Sequence, residues 1–236
     1  MLTVFPFSND AKEKIILVSS QDTRDSFYGR WLLLIYTEVF QRLGYDFQYD
    51  GYPGGRAPVI AENGEVDGEI HRSVDYAKIT KNLIRVEESH FTVSYAAYAV
   101  KPGIILNGWK SLKNTDYRVE YRRGSKQPES ALTAIIKPEN LSNIATTEQG
   151  LKKLLTGRTD IYVDTVFVVS KTLSILKISG FFIDKVYQAG IMESVDGYVY
   201  MQKKHAVLIP RVTNILREIK KEGLVDHYRK IALKEE

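Results

Sequence analysis

Apolar runs and helical stripes alternate along the first hundred residues. Residues 14–20 form an apolar run that predicts a buried strand, and residues 21–26 are polar and predict a loop. Residues 28–43 then carry apolar side chains near helical spacing, and Gly44 follows, which predicts a helix closed by a glycine. A strand at 45–52 comes next. This order predicts an α/β fold with a mostly parallel sheet.

The same alternation begins again after the Lys-Pro-Gly break at residues 101–103. The pattern predicts strands at 117–121 and 197–201 and helices from the turn at 123–125 to 136, at 147–155, 166–176, 208–221 and 224–233. Thr146 or Thr147 can cap the helix at 147–155, since a side-chain oxygen there accepts from the first turn. The chain therefore contains about two sheets' worth of strands.

Two phrases about ninety residues apart resemble each other. In each, a predicted helix ends at a glycine, Gly64 or Gly157, and an aspartate, Asp67 or Asp160, opens a short strand. This repetition predicts two similar lobes. In α/β folds, ligands bind beyond the carboxyl ends of the strands, so the pattern favours a binding protein.

Composition narrows the function classes. The chain is 44% hydrophobic and 26% charged, as in ordinary globular proteins, and its net charge of +4 arises from interspersed signs, which disfavours nucleic acid as a partner. The absence of cysteine excludes disulfides and thiol chemistry. The four histidines lack metal-ligand spacing and no phosphate-loop pattern occurs, so we expect no metal and no cofactor. No apolar stretch is long enough to span a membrane, and the first residues lack the features of a secretory signal.

The order of four weak motifs resembles the type II periplasmic solute-binding proteins of the polar amino-acid branch. The motifs are the Gly-x-x-Asp strand at 64–67, the segment from Trp109 to the Gly-Ser turn at 124–125, the Gly-Arg-x-Asp phrase at 157–160, and the closing strand and helix pair at 197–204 and 212–228.

This resemblance implies a two-lobed periplasmic-binding-protein type II fold, in which each lobe has a central mixed sheet flanked by helices. Lobe 1 would comprise residues 1–98 plus 190–236 and lobe 2 residues 99–189, with crossing segments near 95–100 and 187–191 forming the hinge. It further implies a monomeric periplasmic or extracellular receptor, with its export signal outside this numbering. The receptor would close on a small polar ligand, such as an amino acid or related carboxylate, and deliver it to the permease of an ABC-type importer.

The resemblance also implies ligand-binding residues in lobe 1. An aromatic side chain after the first strand would pack on the ligand, and Tyr28 is our first choice and Phe27 our second; alternatively, both fix the helix start to the core. Glu69, His71 and Arg72 stand at the end of a later strand. The family arginine that binds the ligand carboxylate is expected at position 79, where this chain has Ile79. We therefore assign Arg72 that role, with a solvated or salt-bridged arginine as the alternative.

In lobe 2 the candidates are Tyr95, at the outbound crossing, the turn formed by Arg123, Gly124 and Ser125, and Asp164. Backbone N–H groups at a helix start suit a carboxylate, so the turn is expected to hold the acidic end of the ligand. Asp164 resembles the family's acidic partner of a ligand ammonium, although it follows Asp160 one residue sooner than expected. It could instead cap the following helix.

Two other functions are compatible with the same residues. The module could report a ligand to a signalling protein. Glu69 and His71 alternate on one strand and could act as an acid and base, as in dehydratases on this fold.

Overall fold

A computed structural model describes residues 12–53 and 55–234. Its contacts divide the chain into two units, unit 1 up to Phe91 and from Asp196 onwards, and unit 2 from Thr92 to Val195. Two strands, Phe91–Ala99 and Tyr187–Gln202, carry the chain from one unit to the other. The predicted lobe bounds at residues 98 and 190 lie within these same strands and stay a prediction.

The described residues form strands and helices in alternation. The strands are β1 Lys14–Ser20, β2 Asp46–Tyr52, β3 Gly68–Arg72, β4 Leu83–Arg85, β5 Phe91–Ala99, β6 Val119–Arg122, β7 Leu141–Ile144, β8 Ile161–Thr165 and β9 Tyr187–Gln202. The α-helices are α1 Gln21–Asp25, α2 Phe27–Leu43, α3 Arg56–Glu62, α4 Lys126–Thr133, α5 Thr147–Leu155, α6 Val166–Ile178, α7 Ile209–Lys221 and α8 Leu224–Lys234. Short 3-10 helices occupy Val74–Lys78, Trp109–Leu112, Pro138–Asn140 and Lys203–His205.

Unit 1 is built on a mixed sheet. Strand β1 pairs in parallel with β2 on one side and β3 on the other, and β3 and β4 both pair antiparallel with β9. Helix α2 buries Trp31, Ile35 and Val39, and the Trp31 indole N–H donates to the Val225 carbonyl of α8 at 2.8 Å. Gly44 ends α2 in a left-handed conformation with φ of 85°, which favours a residue without a Cβ.

Unit 2 has the same kind of sheet, in the order β5-β8-β6-β7. Strand β6 is parallel to β7 and β8, whereas β5 is antiparallel to β8. One face of the sheet packs Val119, Tyr121 and Val163 with Leu132 of α4. The opposite face packs Tyr162 with residues of α5 and α6. The predicted mixed sheets flanked by helices are thus present in both units.

The aspartates of the two repeated segments, Asp67 and Asp160, have the same structural role. The Asp67 carboxylate accepts the backbone N–H of Ile16 at 2.8 Å, and the Asp67 N–H donates to the Ile16 carbonyl at 2.9 Å. Asp160 makes the same exchange with Arg118, at 2.9 Å in both directions. Each aspartate therefore fixes the start of its strand against the neighbouring parallel strand. Gly64 and Gly157 have φ of 79° and 68°, as the predicted helix ends require.

Two local predictions are corrected, and one strand was not predicted. The expected loop at 21–26 contains helix α1, because the Ser20 hydroxyl accepts the N–H of Thr23 at 3.3 Å and caps a turn. The strand predicted at 197–201 is the end of the longer β9. Edge strand β7 was missed because its exposed side chains lack an apolar pattern. In the part of the chain that the structure describes, every helix is too short or too polar to cross a bilayer.

Candidate functional site

Each unit presents the carboxyl ends of three parallel strands at one edge of its sheet. These ends are Ser20, Tyr52 and Arg72 in unit 1 and Arg122, Ile144 and Thr165 in unit 2. Ligands of α/β folds bind at this edge, so the predicted site residues are expected to lie there.

The aromatic candidates of unit 1 belong to a ring cluster. Phe27 is buried and lies 5.2 Å from the Tyr28 ring and 5.8 Å from the Trp31 ring, measured between centroids. The half-buried Tyr28 packs 5.9 Å from Phe91, which stacks on Trp31 at 4.0 Å. Phe27 thus fixes the start of α2 to the core. The part of Tyr28 that remains exposed keeps it available as a ligand-packing residue.

Arg72 is engaged in an ion pair inside unit 1. Its Nε donates to Oε2 of Glu69 at 2.6 Å, its terminal nitrogen contacts the same oxygen, and its guanidinium lies 4.8 Å from the Tyr76 ring centroid. The Tyr76 hydroxyl donates to the other Glu69 oxygen. Burial and this carboxylate raise the pKa of Tyr76. The Glu69 side chain is only 1% exposed, so the pair is buried on its acidic side.

A groove of about 600 Å³ lies beside this pair. It is lined by Arg72, Tyr76, Thr80 and Lys81 together with residues of α3, including Val59 and Glu62. Arg72 can therefore reach solvent on one side of its contact with Glu69, and the predicted role in binding a carboxylate stays a prediction.

His71 belongs to a relay of three hydrogen-bonded side chains, formed with His90 and Tyr36. Its Nδ1 lies 2.8 Å from Nε2 of His90, and Nδ1 of His90 lies 3.0 Å from the hydroxyl of the fully buried Tyr36. Burial and the charge of Arg72 lower the pKa of His71 to about 4, and burial lowers that of His90 strongly as well. Gly197 makes room for both rings, since a Cβ there would lie 2.3 Å from His90. The expected acid and base pair is not joined, because Glu69 and His71 have separate partners.

Asp164 is buried beneath α5 and has no exposed surface. Its carboxylate accepts the Thr147 hydroxyl at 2.7 Å, the Tyr162 hydroxyl at 3.0 Å and Nε of Arg122 at 3.1 Å, and the Thr165 N–H donates to its second oxygen at 2.8 Å. The residue that caps α6 is Thr165, without a side-chain cap bond, so the alternative of Asp164 as a helix cap is not observed. The role of Asp164 in binding a ligand ammonium stays a prediction. A ligand ammonium would compete with Arg122 for this carboxylate.

The predicted turn lies at the carboxyl end of β6. Gly124 has φ of 80°, exposed Arg123 donates to the Asn143 side chain at 2.9 Å, and buried Ser125 begins α4 without using its hydroxyl as a cap. The Tyr95 side chain lies close to that of Ser125. Burial, followed by the charge of Asp164, raises the pKa of Tyr95. The structure thus brings Tyr95 and the turn together.

Several polar residues at this edge were missed from the sequence. Arg122 neutralises Asp164, and Glu193 accepts the Trp109 indole N–H and the Gln127 amide, both at 2.7 Å. Thr165 is buried beside Asp164. For Thr165 the sequence held one signal, which is that Asp164 follows Asp160 one residue sooner than expected. A shift of one residue on a strand moves a side chain to the other face of the sheet.

No family model matches the chain. An uncharacterized protein from Shewanella oneidensis is 34% identical over 221 residues, covering 94% of this chain and 83% of that protein. A histidine kinase sensor domain with similarity to periplasmic binding proteins superposes with a TM-score of 0.62 at 15% identity, covering 95% of this chain and 97% of the domain. The amino-acid ABC transporter substrate-binding protein AbpA from Streptococcus pneumoniae, bound to L-arginine, gives 0.59 at 14% identity over 94% of both chains. The predicted periplasmic-binding-protein fold is confirmed.

Proposed function

Because this chain belongs to the same family as the Shewanella oneidensis protein and has the fold of periplasmic binding proteins, we propose that it is an extracytoplasmic solute receptor. The receptor closes on a small polar ligand, an amino acid or related carboxylate. It then delivers that ligand to the permease of an ABC-type importer. We propose that it acts as a monomer in the periplasm or outside the cell.

The observation that carries this proposal is the polar lining at the carboxyl edge of both sheets. In unit 2, Tyr95 lies beside Ser125 where α4 begins, and the N–H groups of a helix start favour a ligand carboxylate. In unit 1, Arg72 lines a groove, and Tyr28 offers an aromatic surface. Each unit by itself thus offers donors and aromatic area of the kind that a small polar ligand needs.

A thermal-shift screen tests the proposal. The panel contains the standard amino acids, small carboxylates and short oligopeptides, each near 1 mM. A ligand present at about a hundred times its dissociation constant adds about 2.7 kcal/mol to the free energy of unfolding, which is roughly 5 to 10 °C in melting temperature for a chain of this size. A complete panel without any shift would contradict an intact small-molecule site.

A sensing module is the second candidate, favoured by the similarity to the histidine kinase sensor domain. Uptake of the radiolabelled stabilising compound separates the two roles. Deleting the gene reduces uptake if the protein serves an importer. Unchanged uptake, with loss of a transcriptional response to the compound, would indicate sensing.

An enzymatic role is less well supported, because Glu69 is held by Arg72 and Tyr76 while His71 is held by His90. We therefore propose that the stabilising compound is not converted. Mass spectrometry after a prolonged incubation should recover it unchanged, and conversion that Glu69→Gln abolishes would establish the enzyme instead.

A further inference from the structure

Thr165 has a buried hydroxyl with an unmet hydrogen bond. The residue ends β8 and is 3% exposed, and its Oγ1 has no hydrogen-bond partner among the residues that the structure describes. Buried polar groups in folded proteins are nearly always paired, so an unpaired hydroxyl calls for an explanation. At the carboxyl edge of a parallel sheet, a bound ligand is the partner to expect.

The strand register shows which face this hydroxyl shares. Thr165 stands opposite Tyr95 in the antiparallel pair of β8 and β5, and opposite residues in such a pair lie on the same face. Tyr95 lies beside Ser125 at the start of α4, and its ring centroid lies 6.4 Å from the Trp109 ring centroid. Thr165 is therefore on the face of Tyr95 and α4, whereas its neighbour Asp164 turns to the α5 face.

Glu193 brings a negative charge to the same group of residues. Its Oε2 accepts the Trp109 indole N–H and the Gln127 amide, which hold the carboxylate in place, and neither donor carries a charge. Asp164 differs because its partner Arg122 is a cation. Among the residues that the structure describes, Glu193 thus has no cationic partner, and it lies close to Tyr95.

We propose that Glu193 and the Thr165 hydroxyl bind the cationic head of the ligand, an ammonium or guanidinium group, with Tyr95 and Trp109 as aromatic walls. Both acceptors match N–H donors, and aromatic faces attract cations. The inference rests on the proposed receptor function and assigns the charge of its ligand. It replaces Asp164 by Glu193 as the acidic partner of the ligand.

Calorimetric titration with three cations, L-arginine, L-lysine and agmatine, tests the assignment, with uncharged L-citrulline as the comparator of L-arginine. At least one cation should bind the wild type, and L-arginine should bind at least tenfold more tightly than L-citrulline if it is that cation. Glu193→Gln should raise the dissociation constant of the cation that binds by at least about thirtyfold, because the substitution removes the charge partner of a ligand cation that is desolvated on binding. Glu139→Gln, which removes an exposed carboxylate of unit 2, should leave the affinity unchanged.

Thr165→Val gives a second, independent readout. This substitution should weaken the affinity for the cation by about three- to tenfold. Because it removes a buried unpaired hydroxyl, it should also raise the melting temperature of the free protein by at least about 2 °C. Thr159→Val is the matched control, since the buried Thr159 hydroxyl donates to the Arg118 carbonyl at 2.8 Å, and it should lower the melting temperature.

Each remaining outcome overturns the inference. A Thr165→Val melting temperature at or below that of the wild type would show that the hydroxyl is already paired. Wild-type affinity in Glu193→Gln would exclude the carboxylate. A wild type that binds neutral or anionic compounds but no cation overturns the inference and leaves the receptor proposal standing, whereas a wild type that binds no compound at all overturns both.

Discussion

At the scale of single residues, the charges that the sequence singled out have internal partners of opposite sign. Arg72 is paired with Glu69, and Asp164 with Arg122. The first pair is three residues apart on a strand with an irregular register, and the second is 42 residues apart in neighbouring strands. Residue type and position at a strand end could be predicted, but partners across strands could not, because they depend on register.

The Arg72 pair has a consequence for stability. Arg72→Met leaves the buried Glu69 carboxylate without its cation, so we expect the free energy of unfolding to fall by about 2 to 4 kcal/mol in urea titrations. Arg229→Met, which breaks the exposed pair with Asp226, should cost about 1 kcal/mol or less. The double variant Glu69→Gln with Arg72→Met should recover most of the loss. Equal effects of the two single substitutions would refute a buried pair.

At the scale of elements, strong local signals were enough to predict most of the fold. Helix α5 begins and ends where the pattern places it, with Thr146 accepting the N–H of Gln149 at 3.2 Å, and α2 ends at Gly44. Elements without an apolar pattern were missed, as for the exposed edge strand β7. The face of Thr165 was also missed, because a register shift of one residue cannot be seen without the neighbouring strand.

The relay of Tyr36, His90 and His71 predicts acid sensitivity of unit 1. It joins α2 to β3 and to the residue before β5, with Arg72 and Lys220 as the nearby cations. The folded pKa of His71 lies below the usual 6.5, at about 4. As pH falls below 6.5, the His71 imidazole is therefore protonated in the unfolded chain but stays neutral in the folded chain. The free energy of unfolding should drop by about 1.4 kcal/mol per pH unit for each such histidine until the folded pKa is reached.

Urea titrations at pH 7.5, 6.0 and 5.0 measure this slope. The wild type should lose stability across this range, and His71→Gln should lose less, because one of the two buried imidazoles is gone. His227→Gln removes an exposed histidine and should follow the wild type. A wild-type stability that is flat between pH 7.5 and 5.0 would contradict neutral buried histidines.

At the scale of the whole molecule, the chain builds two units with the same plan. Asp67 and Asp160 anchor equivalent strands, and a mixed sheet with helices on it forms each unit. This repetition could be predicted from the sequence because glycine and aspartate have specific backbone roles at helix ends and strand starts. The identity of the ligand could not be predicted, since it depends on which side chains of distant strands remain unpaired at the carboxyl edges.

Small-angle X-ray scattering of the free protein and of the protein saturated with its stabilising compound tests the central claim most directly. A receptor that closes about its two crossing strands should populate an open form when free, and ligand should shift the population to the closed form. The radius of gyration should therefore decrease on ligand addition, and it should not decrease with a compound that gives no thermal shift. An unchanged scattering profile at saturating ligand would contradict a receptor that works by closure.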